Sequence, residues 1–195
     1  MDSDAVPLTA EKSHREHLYL VGYRGCGKST IGSLLSKKLA LPWVDTDRLI
    51  EAAVQMPATD YFHRFGEPSF RRIEQQVIAQ CDLLPAHVIS LGGGAILAEE
   101  NRKQIRATGR TVWLQCSIEE LASRLAGDQK EQGKGRPSLT GKGVVTEIEE
   151  VLKKREPLYR EVADLIVASD RLQPFEVVEQ IAGWLTRDRA REEGD

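Results

Sequence analysis

The sequence is poor in cysteine and has no long apolar run. Its 195 residues include three cysteines, Cys26, Cys81 and Cys116, an odd number with no CxxC pair. A disulfide-stapled scaffold or a thiolate zinc site therefore has little support. Because no stretch of about 18 apolar residues is present, we predict no membrane-spanning segment and no membrane partner. The first 17 residues lack the basic start and apolar middle of a signal peptide, which predicts a cytoplasmic protein.

A basic excess is also missing. Lys and Arg number 27 against 30 Asp and Glu, so the formal net charge is −3 with neutral histidines. Proteins that bind nucleic acid usually carry a marked positive excess, and we predict no nucleic-acid partner. With 41% hydrophobic and 29% charged residues, the composition is that of one ordinary soluble core. We expect a monomer whose ligand is a small molecule.

Short apolar runs with strand character alternate with segments of helical spacing. Because parallel strands need crossover connections, this alternation predicts an α/β fold, a three-layer α/β/α arrangement around a five-stranded parallel sheet. In such folds, ligands bind at the carboxyl ends of the strands. The predicted strands are 18–21, 41–44, 87–91, 111–116 and 165–168, and the predicted helices are 29–39, 48–54, 70–80, 99–108, 118–125, 145–162 and 175–185.

Both ends and one internal segment differ from the rest of the chain. Residues 1–16 are polar and aperiodic, and residues 187–195 are highly charged, so we predict two tails around a single domain at 17–186, the first of them disordered. Segment 127–143 is rich in glycine and lysine and contains Arg136 next to a proline. This composition cannot build a packed element, which favours a mobile lid over an irregular surface insertion.

The strongest motif is the glycine-rich segment GYRGCGKST at residues 22–30. It matches G-x-x-x-x-G-K-[ST], follows a predicted strand and opens a predicted helix. Backbone N–H groups of such a loop and the positive end of the helix cradle phosphates, while Lys28 bridges the β- and γ-phosphates and the Ser29 hydroxyl binds Mg²⁺. The sequence contains no guanine-reading N-K-x-D near the later strands, which favours ATP. Cys26 is interpreted as a small residue of this loop rather than a reactive thiol.

Two further motifs follow the second and third predicted strands. Asp45 and Asp47 are two residues apart, so in an extended chain both carboxylates face the same side. One could support a hydrated Mg²⁺ and the other accept a substrate hydroxyl, although one of them could instead cap the helix that begins near Arg48. Gly92, Gly93 and Gly94 form either a tight turn or a place where a ligand approaches backbone N–H groups.

Several arginines suit an anionic substrate. Arg71, with Arg72 beside it, lies at the start of a predicted helix, where the helix dipole disfavours a positive charge. Arg155 lies just before Pro157, and Arg136 lies in the predicted lid. Each could be a solvated surface charge, but together they suit bidentate recognition of a carboxylate and closure over a transferring phosphate.

Taken together, the motifs resemble those of the shikimate kinase family. GYRGCGKSTIG, LPWVDTDRLIE, FGEPSFRRIE, ISLGGGAIL, RPSL and KKREPLYREVAD follow one another in the family's order between about residues 18 and 168. The resemblance implies the P-loop fold of nucleoside monophosphate kinases. It also implies transfer of the γ-phosphoryl group of ATP to the 3-hydroxyl of shikimate, in the pathway to chorismate and the aromatic amino acids.

The resemblance implies a role for individual residues. Lys28, Asp47 and Arg136 would be catalytic, and Asp47 would also hold substrate hydroxyls. Phe62 and Phe70 would supply apolar walls. The nucleotide would contact Gly25, Cys26, Gly27, Lys28, Ser29, Thr30 and Arg136; Mg²⁺ would be held by Ser29 and Asp45; and shikimate would contact Asp47, Arg71, Gly92, Gly93, Gly94 and Arg155.

The chain departs from the family pattern at residues 54–59. Where the family usually reads T-G-x-S-I, this chain has VQMPAT, and its lid segment is richer in glycine and lysine than in many members. A gluconate-type sugar-acid kinase and, more remotely, a nucleoside monophosphate kinase are the alternative enzymes. A non-catalytic ligand-sensing module is the alternative from another class, and the joint presence of Lys28, Ser29 and Asp45 disfavours it.

Overall fold

The computed structural model describes residues 16–132 and 143–192. Within these ranges, five parallel strands form one sheet in the order β2-β3-β1-β4-β5. The strands are β1 (His17–Val21), β2 (Trp43–Asp45), β3 (Val88–Ser90), β4 (Gly109–Gln115) and β5 (Leu165–Ala168). The helices are α1 (Lys28–Leu39), α2 (Thr46–Val54), α3 (Ala58–Cys81), α4 (Glu99–Thr108), α5 (Ile118–Gln132), α6 (Val144–Val162) and α7 (Pro174–Glu192), with a short 3₁₀ turn at Ala95–Leu97.

Strand β1 lies in the middle of the sheet and shows how the two faces are filled. All five of its residues are buried, and the last four side chains alternate between two apolar clusters. Leu18 and Leu20 pack with residues of α1 and α7, whereas Tyr19 and Val21 pack with residues of α3, α4 and α6. A parallel strand buried on both faces needs such a continuous apolar run. The predicted α/β fold with a five-stranded parallel sheet is confirmed.

Three helices differ from the prediction by seven residues or more. Helix α5 continues to Gln132, seven residues past its predicted end at residue 125 and into the segment predicted as a lid. Helix α3 begins at Ala58, twelve residues before the predicted start at residue 70, and is interrupted at Gly66, whose φ is 77° and ψ is 167°. The segment around Gly66 and Pro68 has no regular apolar period, which is why the pattern missed it. Helix α7 continues to Glu192, past the predicted end at residue 185, because its charged final turns consist mostly of good helix formers.

The other predictions of the domain organisation concern the two tails and the lid. Most of the predicted N-terminal tail, with residues 1–15, and most of the predicted lid, with residues 133–142, lie outside the described residues, as do residues 193–195. The predicted C-terminal tail from residue 187 is helical as far as it is described. The boundaries at 17 and 186 and the mobile lid stay predictions. In the described ranges, no helix combines the length and the apolarity needed to cross a bilayer.

A buried polar cluster lies at the amino-terminal ends of β1 and β3. The backbone N–H of His87 donates to Nδ1 of His17 at 3.2 Å, and the Tyr19 hydroxyl is 2.8 Å from Oγ1 of Thr108. The His17 side chain is almost fully buried. Burial lowers the pKa of His17 below its ordinary 6.5, with the nearby Asp82 opposing this effect and His87 adding to it. His17 therefore contributes to stability in its neutral form.

We expect the free energy of unfolding to decrease as pH falls below 6.5, the ordinary pKa of His17. In that window the unfolded chain binds a proton that the folded chain resists, so the folded state loses stability until pH has passed the lowered pKa. Urea denaturation across a pH series measures the effect. His17→Asn keeps an acceptor but takes up no proton and should flatten this part of the profile. The control His63→Asn, at an exposed position of α3, should leave the profile unchanged. If the free energy of unfolding of His17→Asn still falls with pH as in the wild type, the assignment to His17 is contradicted.

We expect Ala40→Gly to stabilise the fold. Ala40 ends α1 with φ 52° and ψ 36° and is exposed, and a Cβ in this left-handed region costs about 1–2 kcal/mol. Glycine recovers that cost but gives the unfolded chain more freedom, so the free energy of unfolding should rise by about 0.5–1 kcal/mol. The same change at exposed, helical Ala52 in α2 should lower it by about 1 kcal/mol. Chemical denaturation of both variants tests this opposite sign.

Candidate active site

The phosphate loop connects β1 to α1 at the carboxyl edge of the sheet. Gly22 has φ 144°, and a Cβ there would lie 2.6 Å from the Leu114 carbonyl oxygen, so the position excludes any side chain. Gly27 has φ 97° and caps the amino terminus of α1. The loop thus presents its backbone next to the positive end of the helix dipole, an arrangement that favours anions.

Lys28 folds back over this loop. Its Nζ donates to the carbonyl oxygens of Gly22 and Tyr23, both at 2.9 Å, and lies 3.8 Å from Sγ of Cys26. The ammonium group is therefore held above the loop by the loop's own backbone. A phosphate bound in the loop would meet this charge directly.

Asp45 combines the two roles that the sequence left open. Its Oδ2 accepts a 2.6 Å hydrogen bond from the Ser29 hydroxyl, and its Oδ1 accepts the backbone N–H of Asp47 at 3.0 Å. Asp45 is thus the N-cap of α2, which begins at Thr46 rather than at residue 48. The prediction that both aspartates lie in extended chain is wrong, because this cap starts the helix. Both side chains nevertheless line the cavity beside the phosphate loop.

Ser29 and Asp45 fit Mg²⁺ that binds together with a nucleotide. Both offer hard oxygen donors, and Mg²⁺ commonly takes one or two protein oxygens while phosphates and waters complete its shell. In the described part of the chain, no group of three or more His, Cys, Asp or Glu side chains comes together as a metal site. The pair therefore fits a phosphate-associated cation.

Two cavities meet at this edge of the sheet. The larger, about 1000 Å³, runs along the phosphate loop towards Arg124 and Pro174; the smaller, about 120 Å³, lies between α3, the glycine loop after β3 and α6. The predicted residues separate between them. The larger is lined by Gly25, Cys26, Gly27, Lys28, Ser29, Thr30 and Asp45; the smaller by Phe62, Phe70, Arg71, Gly92, Gly94 and Arg155; and both by Asp47 and Gly93. Arg136 lies outside the described residues.

Carboxylates fix Arg71 in the smaller cavity. Its Nη1 donates to Oε2 of Glu74 at 2.7 Å and its Nη2 to Oε1 of Glu67 at 3.1 Å, while the guanidinium lies over the Phe70 ring. Glu74 is 1% exposed. Burial raises the pKa of Glu74, and the charge and hydrogen bond of Arg71 oppose this rise. The arginine is thereby oriented before any ligand binds.

Arg155 and Tyr159 share one acceptor, the carbonyl oxygen of Gly93. Nη1 of Arg155 donates to it at 3.0 Å and the Tyr159 hydroxyl at 2.7 Å. Tyr159 is buried and stacks on Trp113 with ring centroids 5.6 Å apart. Burial raises the pKa of Tyr159, which keeps the phenol protonated as a donor. Two side chains of α6 therefore fix the peptide plane of the glycine loop.

Sequence reasoning missed several residues that set this geometry. Buried Thr46 accepts the N–H of Gly92 at 2.9 Å and so joins α2 to the glycine loop. The Ser90 hydroxyl donates to the carbonyl oxygen of Lys28 at 3.0 Å and accepts from Nε1 of Trp43 at 3.0 Å. Tyr159 had a signal in the segment REPLYREV, but its partner is 66 residues away. None of these contacts follows from a local pattern.

The comparisons with known proteins agree on one family. A family model described as shikimate kinase matches residues 24–186. The shikimate kinase of Rhodopirellula baltica is 43% identical over 166 residues, which are 85% of this chain and 88% of that protein. A solved shikimate kinase from Acinetobacter baumannii in complex with shikimate is 29% identical with a TM-score of 0.81, over 89% of this chain and 94% of that one.

A more distant likeness extends to a sugar-acid kinase. The structure of a gluconokinase from Sinorhizobium meliloti covers 93% of this chain and 99% of its own with a TM-score of 0.62, but the identity is 16%, so the likeness is one of fold alone. The two relatives described above, at 43% and 29% identity, are both shikimate kinases. The family predicted from the motifs is thus confirmed, and the chain belongs to the shikimate kinase family.

Proposed function

We propose that the two cavities are the two halves of one active site, in which the γ-phosphoryl group of ATP passes to the 3-hydroxyl of shikimate. Membership of the family makes the chain an ATP-dependent kinase that acts on shikimate. The observation that carries the proposal is the junction of the cavities. Asp47 and Gly93 line both, so an acceptor in the smaller cavity faces the phosphate end of the larger one.

The larger cavity suits Mg-ATP. The loop N–H groups, the α1 dipole and Lys28 would hold the phosphates, with Lys28 exchanging its two carbonyl partners for phosphate oxygens. Ser29 and Asp45 would hold Mg²⁺, which neutralises phosphate charge when bound. The guanidinium of Arg124, which donates to the Gly25 carbonyl oxygen at 3.1 Å, offers a flat cation on which a base can stack.

The smaller cavity suits a compact acid with hydroxyl groups. Arg71 and Arg155 offer guanidinium groups for a carboxylate, and the Phe62 and Phe70 rings, 5.7 Å apart, offer an apolar wall for a carbon ring. The glycine loop lets that ring approach the backbone closely. A Cβ on Gly92 would lie 2.7 Å from Oδ1 of Asp47, so a side chain at this position would push the carboxylate aside.

Asp47 is placed to receive the proton of the acceptor hydroxyl. In the transfer, the hydroxyl oxygen bonds to the γ-phosphorus, the bond from that phosphorus to the β–γ bridging oxygen breaks, and the hydroxyl proton goes to Asp47. Little other covalent chemistry is needed, because positioning and charge neutralisation supply most of the acceleration. Arg136 would add a cation when the segment around it closes, as the sequence predicts.

We also propose a cytoplasmic monomer with no nucleic-acid or membrane partner. The net charge of −3 supports the absence of a nucleic-acid partner. A gluconate-type acceptor is the second candidate, because gluconate is also an anionic polyol that the guanidinium groups of Arg71 and Arg155 would suit. ADP release with Mg-ATP and equal concentrations of shikimate, gluconate or AMP separates the candidates. Stimulation by shikimate alone is expected. Stimulation by gluconate alone would mean that gluconate, not shikimate, is the acceptor.

Lys28→Ala should abolish most of the phosphoryl transfer. A preorganised cation at the transferring group contributes roughly 3 kcal/mol, so kcat should fall by about 100-fold or more. The lysine also holds two loop carbonyls, so thermal unfolding must be measured beside the kinetics. Lys37→Ala, at an exposed position of the same helix, is the matched control. Near-normal kcat in Lys28→Ala would remove this residue from the mechanism.

Arg71→Ala should act on acceptor binding. Because Arg71 would grip the carboxylate equally in the ground and transition states, the shikimate KM should rise by about tenfold or more while the ATP KM stays unchanged. Arg72, its neighbour on α3, is exposed, and Arg72→Ala should alter neither constant. Steady-state kinetics with each substrate varied in turn measures both. A rise confined to the ATP KM would contradict this role, because it would mean that Arg71 acts on the nucleotide and not on the acceptor.

A further inference from the structure

The junction between the two cavities contains one residue without a role in the motifs. Among the described residues, three line both cavities: Arg24, Asp47 and Gly93. Asp47 is an anion and Gly93 has no side chain, so Arg24 supplies the positive charge at this point. It occupies a variable position of the G-x-x-x-x-G-K-[ST] motif, which is why the pattern assigns it nothing.

The position of Arg24 is fixed from two sides. Its Nη2 donates to Oε1 of Glu147 at 2.6 Å, and its guanidinium carbon lies 5.8 Å from the centroid of the Tyr23 ring. Glu147 is 1% exposed and sits in the first turn of α6, 123 residues further along the chain. A carboxylate in that environment needs a cation, because an unpaired buried charge is strongly destabilising. The pair therefore keeps the guanidinium at the junction without a ligand.

We propose that Arg24 is a catalytic residue that contacts the phosphoryl group while it passes from ATP to the acceptor, and that Glu147 is its positioning residue. The inference rests on the proposed function, since the junction is a transfer point only if both cavities are filled as proposed. In the transition state, negative charge spreads over the three equatorial oxygens of the phosphoryl group. A preorganised guanidinium at that place stabilises this charge more than the charge of bound ATP.

The surroundings separate Arg24 from the other arginines. Arg71 lines only the acceptor cavity and Arg124 only the nucleotide cavity, where its Nη1 donates to the Gly25 carbonyl at 3.1 Å. Substitution of each of these three arginines should therefore change a different kinetic constant. Loss of Arg124 should affect the ATP KM, loss of Arg71 the shikimate KM, and loss of Arg24 mainly kcat.

The first experiment measures ADP release with Mg-ATP and shikimate for Arg24→Ala, Arg71→Ala and Arg124→Ala beside the wild type. Arg24→Ala should lower kcat by at least about 100-fold and change either KM by less than about threefold. Arg24→Lys keeps a charge but not the flat fork, and should restore part of the loss. Arg106→Ala, exposed on α4, controls for the loss of any arginine.

The second experiment measures binding, without turnover. ADP alone should bind the wild type and Arg24→Ala with similar Kd, whereas ADP with fluoroaluminate and shikimate, which imitates the transition state, should bind Arg24→Ala at least about tenfold more weakly. Glu147→Gln removes the charge of the positioning residue but keeps its size. It should lower kcat in the same direction as Arg24→Ala with the KM values unchanged, which a general loss of structure would not do.

The outcomes separate the two proposals. If the wild type releases no ADP with shikimate, the proposed function fails and the role of Arg24 fails with it. If the wild type is active and Arg24→Ala keeps its kcat, or raises only one KM, the function stands and the role of Arg24 is overturned. Should Arg24→Ala not fold, Arg24→Lys and Glu147→Gln decide, and unchanged kcat with unchanged transition-state analogue binding in both overturns the role.

Discussion

The whole site depends on the close approach of two backbone segments, between which even a Cβ would be a tight contact. A Cβ on Gly93 would lie 3.3 Å from the backbone nitrogen of Arg24 and 3.4 Å from the Gly22 carbonyl oxygen, so the glycine loop after β3 rests directly on the phosphate loop after β1. Parallel pairing of these strands sets that contact, with Leu20 opposite Ser90. Because the loops touch, the nucleotide and acceptor cavities open onto each other.

Charge in this site is buried in pairs that keep their geometry. Arg71 is held by Glu74 and Arg24 by Glu147, each within 2.7 Å. Pairs of this kind contribute little net stability, because desolvation offsets their attraction. Their value lies in orientation, since an arginine that is already aimed at a ligand loses little freedom on binding. The site thus contains charges whose direction the fold has fixed in advance.

The sequence predicted which motifs share one edge of the sheet better than it predicted the bounds of the helices around them. A parallel sheet brings the carboxyl ends of its strands to one edge, so motifs that follow β1, β2 and β3 had to meet there. The first half of α3 and the end of α7 were missed, because local propensity overrode the apolar pattern, whereas the cap formed by Asp45 was one of the two roles that the sequence left open. Glu147 and Tyr159 were missed for another reason: their partners lie 123 and 66 residues away.

Lys28 has a consequence for selectivity among anions. Two of the three N–H donors of its ammonium group are taken up by carbonyl oxygens of the phosphate loop, each at 2.9 Å. An anion that enters the loop must compete with these internal acceptors, which raises the threshold for weak ligands such as free orthophosphate or sulfate. A nucleoside triphosphate overcomes it through contacts spread along its whole length. The loop therefore favours ligands that make further contacts beyond it over small anions that only the loop can bind.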